Sequence, residues 1–420
     1  MKKSIFCTIL SLLFVLLLVS TSTFAAKTTI RFNFFGNLNE IAVAKQWVKS
    51  FEAKNRDIEV DFESIGSNDI ATKMLTSNAG GDAPDVTRMT HAYGQSWASK
   101  GILLDLTPFL KREPKFYNDL IAGPLDIYRH NGKQYGLPHT LMCRALLYNK
   151  DLFDKAGVKY PTGEWKWTDF AAAAQKLTVK QDGRVVQWGF QLDPGVPGMF
   201  ALFLEQSGGR FFDEKKTKVA FNSEAGAETL RFWRDLIKNE ASPSPAVGSQ
   251  LNAEQAFKLG KVAMIISGPW NRPVYATEVP NLHYGVAELP YNKTRSNNYL
   301  ADGIGIWAGT KKKAAAWKLA HFIMEQEQQS LWWNTLHSHF PVTKTSLNDL
   351  MEKGLKNDPL AMPFIKGLEY SRADVWNPKF LEIQPVLVRE LQATLDEGTK
   401  KDPQKALTDG EKDINKILAQ

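Results

Sequence analysis

Short apolar runs alternate with amphipathic segments along the chain, and each kind of segment predicts a different element. Thr28 to Phe35 has the composition of a strand, and Ile58 to Ile65 alternates apolar with polar positions as a second strand should. Between them, Asn39 is placed to cap a helix whose apolar residues share one face. Val262 to Ile266 is continuously apolar, which is typical of a strand buried on both faces. This alternation predicts an α/β architecture.

Capping residues predict where further helices begin. Thr168 precedes an apolar stripe, and Asn252 stands three residues before Gln255 in the spacing of a capping box. Asp402 precedes Pro403, the pair expected at the start of a helix. We therefore expect helices to start at these three positions.

The first residues differ from the rest of the chain in composition. Lys2 and Lys3 precede an almost wholly apolar run from Ile5 to Val19, and small residues follow up to Ala25. This arrangement predicts a secretory signal peptide over residues 1–25. A membrane anchor is the alternative, but the run is shorter than the roughly 20 apolar residues that span a bilayer. Because no cysteine stands at the cleavage site, we expect a soluble periplasmic protein without a lipid anchor.

Length, charge and cysteine content narrow the function classes. A chain of 420 residues suits two domains better than one. Loss of Lys2 and Lys3 takes the formal net charge from +7 to +5, and the remaining basic residues are dispersed, so nucleic-acid binding is not expected. Of the two cysteines, only Cys143 would remain in the mature chain, which excludes an internal disulfide.

Several short motifs follow one another in the order typical of one family. They are Asn78–Val86, Gly132–Pro138, Tyr148–Phe153, Ser207–Gly209, Gly260–Met264 and Gly268–Trp270. Each motif alone is weak, but their shared order over most of the mature chain is specific. By these motifs the chain resembles the extracellular solute-binding proteins of family 1, the maltose-binding-protein-like group that serves bacterial ABC importers.

The resemblance implies a fold, a function and partners. The fold would be the two-lobed type II periplasmic-binding-protein fold, an α/β fold with two mixed sheets flanked by helices and joined by hinge crossings. Residues 26–138 and 302–326 would form the N-terminal lobe, and residues 139–301 and 327–420 the C-terminal lobe. The lobes would close on a carbohydrate. The protein, as a monomer without a cofactor, would deliver this ligand to membrane permease subunits.

Trp270 is the first candidate for ligand contact. It follows the predicted buried strand in a Gly-Pro-Trp turn, so its ring is expected at a strand end facing the cleft, and the resemblance implies that it stacks on a sugar. Asn271 offers hydrogen bonds to a hydroxyl, and Asp193, before Pro194, offers a carboxylate. The competing interpretations are a core tryptophan, a turn residue and an Asx turn.

Further candidates lie at predicted strand ends, in the hinge crossings and near the cleft mouth. Strand ends face the crevice in open α/β sheets, and buried sugar hydroxyls need paired donors and acceptors. These candidates are Asn37, Thr90, His91, His139, Thr140, Met142, Arg144, Asp302, Gly303, Arg372 and Trp376. Helix capping competes at Asn37, an ion pair at Arg144 and hinge freedom at Gly303. Met142 stands where the maltose-binding members have an acidic residue, which argues against maltose as the ligand.

Catalysis and metal binding are not expected. Cys143 lies four residues after His139, but no third orienting group accompanies the pair, so a small buried side chain is the expected role of this cysteine. His337 and His339 form His-x-His without acidic or cysteine ligands nearby, and we expect two exposed loop histidines.

Two alternatives to a sugar-binding protein stay open. The first is a member of the same family that binds glycerol phosphate or another anionic polyol, to which Arg144 and Arg372 are suited. The second, from a different class, is a periplasmic enzyme that acts on carbohydrates. Salt dependence of binding would separate the first from a neutral-sugar binder, and new reducing ends would reveal the second.

Overall fold

Two five-stranded mixed sheets organise the described part of the chain, which comprises residues 26–66, 69–373, 377–396 and 398–420 of a computed structural model. The strands, in chain order, are β1 (Thr28–Phe35), β2 (Ile58–Ile65), β3 (Val86–Met89), β4 (Arg129–His130), β5 (Lys133–Gln134), β6 (Gly136–Pro138), β7 (Ala145–Asn149), β8 (Val179–Gln181), β9 (Arg184–Phe190), β10 (Val262–Ser267), β11 (Tyr284–Ala287), β12 (Asn297–Tyr299), β13 (Gly303–Ile306) and β14 (Ser371–Ala373).

Each sheet combines parallel and antiparallel pairs. The first sheet has the order β2-β1-β3-β13-β6; β1 runs parallel to β2 and β3, and β13 runs antiparallel to both of its neighbours. The second has the order β11-β7-β10-β9-β8; β10 is parallel to β9, and β7 is antiparallel to β10 and β11. The two mixed sheets confirm the predicted fold class. We call the first sheet with its helices the first lobe, and the second sheet with its helices the second lobe.

Helices cover both sheets. They are α1 (Leu38–Lys54), α2 (Ile70–Ala79), α3 (Gly94–Ser99), α4 (Thr107–Arg112), α5 (Pro114–Asp119), α6 (Ala122–Asp126), α7 (Lys150–Ala156), α8 (Trp167–Leu177), α9 (Pro197–Gln206), α10 (Glu224–Lys238), α11 (Pro245–Gly248), α12 (Ala253–Lys258), α13 (Asn271–Glu278), α14 (Lys313–Ile323), α15 (Gln326–Leu336), α16 (Lys344–Glu352), a 3₁₀ turn (Leu355–Asn357), α17 (Met362–Glu369), α18 (Phe380–Leu395) and α19 (Pro403–Leu418).

The predicted strands are confirmed, whereas two predicted helix starts are wrong. Helix α1 is capped by Asn37, not Asn39, because the Asn37 side chain accepts hydrogen bonds from the amides of residues 39 and 40, and Glu40 accepts from the Asn37 amide. Helix α8 begins at Trp167, one residue before the predicted cap, because Asp169 accepts the Lys166 amide at 2.9 Å.

The helix starts predicted from Asn252 and Asp402 are confirmed. Asn252 accepts the amide of Gln255 at 2.9 Å, and Asp402 accepts the amide of Lys405 at 3.0 Å. Both side chains satisfy a backbone donor that has no partner within its own helix.

Two crossing segments run side by side between the lobes. The backbones of Met142 and Leu300 exchange hydrogen bonds of 2.8 and 2.9 Å, and the His139 amide donates to the Asp302 carbonyl at 2.8 Å. The first crossing links β6 to β7, and the second leads from the second lobe into β13. Two paired crossings of this kind can act as a hinge, because changes in a small number of backbone torsions alter the angle between the lobes.

Helix α15 packs on the first lobe, beyond the lobe boundary predicted at residue 326. The Trp332 ring stacks on Trp47 of α1, with ring centroids 4.9 Å apart, and both rings are buried in the first lobe's core. Trp333 is also buried, stacked on Phe340, so the predicted packing role of the two tryptophans is confirmed. The lobe boundaries themselves stay a prediction.

Within residues 26–66, 69–373, 377–396 and 398–420, none of the helices combines the length and apolar character that a membrane crossing requires.

Candidate functional site

A cavity of about 630 Å³ lies between the lobes and takes side chains from both. The first lobe contributes the end of β1 and the start of α1, and the second lobe contributes α12 and α13. Half of the fourteen predicted ligand residues line it: Asn37, His91, Met142, Arg144, Trp270, Asn271 and Asp302. The sequence prediction that strand ends and crossings face one cleft is thus reflected in where these side chains lie.

Trp270 presents a half-buried ring to the cavity directly after β10. Its indole Nε1 donates to Glu254 Oε1 at 2.8 Å. The same oxygen accepts from Ser267 Oγ at 2.6 Å, and Asn271 Nδ2 donates to Ser267 Oγ at 2.9 Å. An aromatic plate held in this way offers an apolar face to a ligand while its polar edge is already hydrogen-bonded.

The first-lobe floor of the cavity is a buried ion cluster formed by Glu40, Arg88 and Asp302. Arg88 Nη2 donates to Asp302 Oδ2 at 2.6 Å, and Nη1 donates to the Phe35 carbonyl at 2.6 Å and to Glu40 Oε2 at 3.3 Å. The guanidinium also lies 4.7 Å from the centre of the Phe34 ring. Arg88 thereby joins Glu40, which lies 48 positions earlier in the sequence, to Asp302, which lies 214 positions later.

The pKa values of the two carboxyl groups in this cluster are shifted in opposite directions. Burial raises the pKa of Asp302, although Arg88 opposes this effect. The pKa of Glu40 is lowered: burial acts to raise it, but Arg88, His339 and the Asn37 amide together outweigh that penalty. Glu40 is thus the more firmly ionised partner of the Arg88 guanidinium.

Two neutral histidines complete this side of the cavity. Burial, helped by the nearby Arg144 cation, lowers the pKa of His91 to about 3. Burial also lowers the pKa of His339 to about 4, although Glu40 acts against it from 3.7 Å. A neutral imidazole both donates and accepts a hydrogen bond, which suits sugar hydroxyls.

Arg144 lies at the crossing, with a buried side chain that lines the cavity. Its backbone is held by Asn297, which accepts from the Arg144 amide at 3.2 Å and donates to its carbonyl at 2.7 Å. Asp193 is exposed and is not one of the residues that line the cavity, and it accepts the Gly195 amide at 3.0 Å in an Asx turn. Partial burial raises the pKa of Asp193, and Arg144 acts in the opposite direction, which places the two groups near each other.

Several predicted residues lie away from the cavity surface. His139 is enclosed by Phe34, Trp47 and Trp332, so its imidazole packs in the core instead of facing ligand. The Thr140 hydroxyl accepts the Asp302 amide at 2.9 Å, and Gly303 packs under the Tyr128 ring. Thr90 is half-buried and Arg372 is exposed on β14, whereas Trp376 lies outside the described residues.

Sequence reasoning missed Glu40, Arg88, Glu254 and His339, all of which line the cavity. Glu254 carried no signal beyond its place in the first turn of a helix before the buried strand. His339 was predicted to be an exposed loop residue; this is wrong, because its side chain is only 3% exposed against Glu40 and the Trp332 ring.

Cys143 is a candidate nucleophile, and the described acidic, histidine and cysteine side chains are candidate metal ligands. The Cys143 thiol donates to the Phe364 carbonyl at 3.1 Å, and burial raises its pKa, so its predicted role as a buried small side chain is confirmed. In the same ranges, no group of three His, Cys, Asp or Glu side chains is arranged to hold a metal ion.

Comparisons with known proteins agree with this architecture. An ABC substrate-binding protein from Listeria monocytogenes, solved in complex with cycloalternan, superposes with a TM-score of 0.84 at 30% identity, covering 94% of this chain and 99% of that one. The GacH receptor of Streptomyces glaucescens, solved unliganded and with acarbose, has a TM-score of 0.82 at 24% identity, covering 94% and 99% of the two chains, and supports the fold alone.

A curated relative and a family model extend the comparison to sequence. An arabinooligosaccharide-binding protein of Bacillus subtilis is 24% identical over 324 residues, which are 73% of this chain and 71% of that protein. The model of the bacterial extracellular solute-binding proteins matches residues 36–330. With that match over most of the chain, and with two mixed sheets enclosing a cavity, this protein belongs to the bacterial extracellular solute-binding protein family.

Proposed function

We propose that this protein captures a neutral oligosaccharide between its lobes and delivers it unaltered to the permease of an ABC importer. The observation that carries the proposal is the cavity itself, where the Trp270 ring from one lobe faces hydrogen-bonding side chains from the other. Sugars present apolar C–H faces and polar hydroxyl edges, and this cavity provides a partner for each.

The size of the cavity favours more than one sugar ring. A volume of about 630 Å³ lies well inside the range of roughly 300–1,000 Å³ that holds drug-sized ligands. The relatives point the same way, since one was solved with cycloalternan and another is named for arabinooligosaccharides. Maltose is a poor candidate, because Met142 stands where the resemblance puts an acidic residue in maltose binders.

The charges of the cavity favour a neutral ligand over an anionic polyol. Its lining holds four carboxylates, of Glu40, Glu254, Glu278 and Asp302, against the cations of Arg88, Arg144 and Lys258. Arg88 is shared by two of these carboxylates, and Lys258 is paired with Glu278. An incoming phosphate would therefore meet two cations, Arg88 and Lys258, that already have carboxylate partners, and it would lie beside further carboxylates.

Binding follows from the placement of these groups on separate lobes. A ligand that first stacks on Trp270 gains its remaining hydrogen bonds when the lobe carrying His91 and Asp302 approaches. Closure is favoured only by such contacts, which exist in the closed state and not in the open state. We further propose that the closed form, exported to the periplasm through the predicted signal peptide, is the form that the permease recognises. No covalent step is required.

A panel of sugars tests the proposed function. Calorimetric titration with cycloalternan, maltotriose, mannotriose and arabinotriose should identify a ligand, and X-ray scattering should show a smaller radius of gyration when that ligand binds. Native mass spectrometry of protein purified from its own periplasm should show a bound oligosaccharide. A bound compound of another class, or new reducing ends after incubation, would contradict the proposal and favour the anion binder or the enzyme respectively.

Replacing Trp270 with alanine should weaken binding of the panel's ligand by about 1–3 kcal/mol, roughly 5- to 150-fold in Kd. The loss follows from removal of the apolar plate under the sugar ring. Calorimetry measures the affinity, and the melting temperature shows whether the fold is kept. Trp307→Ala is the matched control, because Trp307 is also half-buried with a hydrogen-bonded indole but lies outside the cavity. Equal losses in both variants would remove Trp270 from the site.

Affinity should change less than about twofold when NaCl is raised from roughly 0.05 to 0.5 M, because a neutral ligand adds no charge to be screened. Titrations at the two salt concentrations measure this directly. An anionic polyol would lose about tenfold or more over the same interval, and such a loss would favour the alternative ligand.

A further inference from the structure

Glu254 connects three polar side chains at the cavity wall. Its Oε1 accepts from the Trp270 indole at 2.8 Å and from the Ser267 hydroxyl at 2.6 Å, and Asn271 donates to that hydroxyl at 2.9 Å. The carboxylate comes from the first turn of α12, whereas the other three side chains come from the end of β10 and the start of α13. The hydrogen bonds therefore tie the aromatic ring to a separate helix.

The Trp270 ring is fixed from a second direction by Gly268. A Cβ at this position would lie 1.8 Å from the ring's Cζ3 atom, so the ring lies directly on the glycine backbone. The torsion that rotates a tryptophan ring has a broad energy profile, and packing on one side leaves in-plane movement possible. The hydrogen bond to Glu254 holds Nε1, the one polar atom of the ring, and so restricts this in-plane movement.

The carboxylate also has capacity beyond this role. Glu254 is half-buried and lines the cavity, and both of its hydrogen bonds end on Oε1. In the described part of the chain, neither a hydrogen bond to Oε2 nor a lysine or arginine ion pair to this carboxylate is present. An ionised carboxylate oxygen accepts hydrogen bonds roughly twice as strong as those between neutral groups.

We propose that Glu254 is a second recognition residue of the site, which positions the Trp270 ring and accepts a hydroxyl from the sugar stacked on that ring. The second half of the proposal rests on the proposed function. A sugar lying flat on an indole directs its hydroxyls outward at the ring's edge, which is where Glu254 lies. One residue would then couple the position of the plate to the hydroxyl pattern of the ligand.

The positioning role is tested without any ligand. The protein has 12 tryptophans, and the indole N–H resonance of Trp270 is assigned by its loss in Trp270→Phe. Glu254→Ala should shift that resonance strongly, whereas Glu254→Gln, which keeps an oxygen acceptor, should shift it less. Glu224→Ala is the matched control, since Glu224 occupies the first turn of α10 and is exposed, outside the cavity. An unmoved Trp270 resonance in Glu254→Ala would overturn the positioning role.

The recognition role is tested with cycloalternan, or with the panel sugar that the wild type binds. Glu254→Ala should weaken binding by about 10- to 100-fold, and Glu254→Gln by less. Because part of the loss acts through the Trp270 ring, Glu254→Ala should lower the affinity by a smaller factor when it is made in a Trp270→Ala background. Losses that multiply independently, or wild-type affinity in Glu254→Ala, would overturn the proposal. If the wild type binds no sugar, the proposed function fails, while the indole resonance still decides the positioning role.

Discussion

Replacing Arg88 with methionine should lower the free energy of unfolding by about 3–5 kcal/mol. The variant leaves the Glu40 and Asp302 carboxylates, both buried, without the cation that they share. It also leaves the Phe35 carbonyl without its 2.6 Å donor. Methionine fills much of the same space, so the expected loss comes from uncompensated charge and not from a void. Equilibrium urea unfolding, followed by the fluorescence of the first lobe's tryptophans, measures the change.

The control is Arg129→Met, which breaks an exposed ion pair with Asp126. This pair lies three residues apart on the surface and is screened by water, so its loss should cost less than about 1 kcal/mol. A second comparison isolates charge: adding Glu40→Gln and Asp302→Asn to Arg88→Met should restore part of the lost stability. If Arg88→Met costs no more than Arg129→Met, or if the added substitutions destabilise further, the cluster does not stabilise the fold through charge.

The ion cluster also shows why sequence reasoning found only part of the site. Asp302 was predicted from its position after a crossing, but Arg88 lies inside a strand with buried neighbours, where an apolar residue is the ordinary expectation. Its partners are 48 and 214 residues away. Pairing over such distances depends on the strand order of the sheet, which a single sequence does not determine. A charged residue in a short buried strand is the one local signal that pointed to it.

Local patterns did predict the elements, and they failed where two side chains competed for one local role. Strand β1 and the strand after α12 were predicted because their apolar runs are set by burial in the sheet. Asn37 and Asn39 are both acceptable caps by residue type, and only Asn37 has Glu40 at the third helical position to return the hydrogen bond. Asn37 lines the cavity with its side-chain oxygen already engaged by two amides, so capping, the predicted competitor of ligand contact, is present.

His139 illustrates the opposite failure. It follows a strand at a predicted hinge, which is where a ligand residue is expected, yet its ring packs against Trp47 and Trp332. The helix that supplies Trp332 comes nearly two hundred residues later and packs back on the first lobe. The cavity side of that segment is therefore occupied by Met142 and Arg144, which the same crossing presents a few residues further on. Sequence order thus identified a segment that lines the cavity, but not which of its side chains face inward.

Three buried histidines should make the protein markedly less stable in acid. Burial lowers the pKa of His91 to about 3 and of His339 to about 4, and it lowers that of His139 well below the ordinary value of 6.5. Arg144 adds to the effect at His91; Arg88 adds to it at His139 and His339, while Glu40 opposes it at His339. In the unfolded chain all three side chains return to ordinary values and bind protons more readily.

The sign of the effect follows from this difference. Between pH 6.5 and about 4, the unfolded state binds protons that the folded state does not, so the free energy of unfolding falls as the pH falls. Each fully buried neutral histidine contributes about 1.4 kcal/mol per pH unit inside its window, so the three histidines together set an upper bound of about 10 kcal/mol on the loss by pH 4. The lowered pKa of Glu40 adds to the loss below its ordinary value of 4.5, and the raised pKa of Asp302 offsets part of it.

Melting temperatures at pH 7, 6, 5 and 4 measure the acid effect, with the wild type compared with His339→Gln. Glutamine cannot take up a proton, so the variant should lose stability less steeply between pH 6.5 and 4 even if it starts from a lower melting temperature. His283→Gln is the control, because His283 is largely exposed beside Asp151 and should leave the slope unchanged. A melting temperature that stays flat down to pH 4, or a His339→Gln slope equal to that of the wild type, would mean that these imidazoles take up protons in the folded protein as readily as in the unfolded chain. The hydrogen-bonding imidazoles inferred for the cavity floor would then become cations as the pH falls through about 6.5.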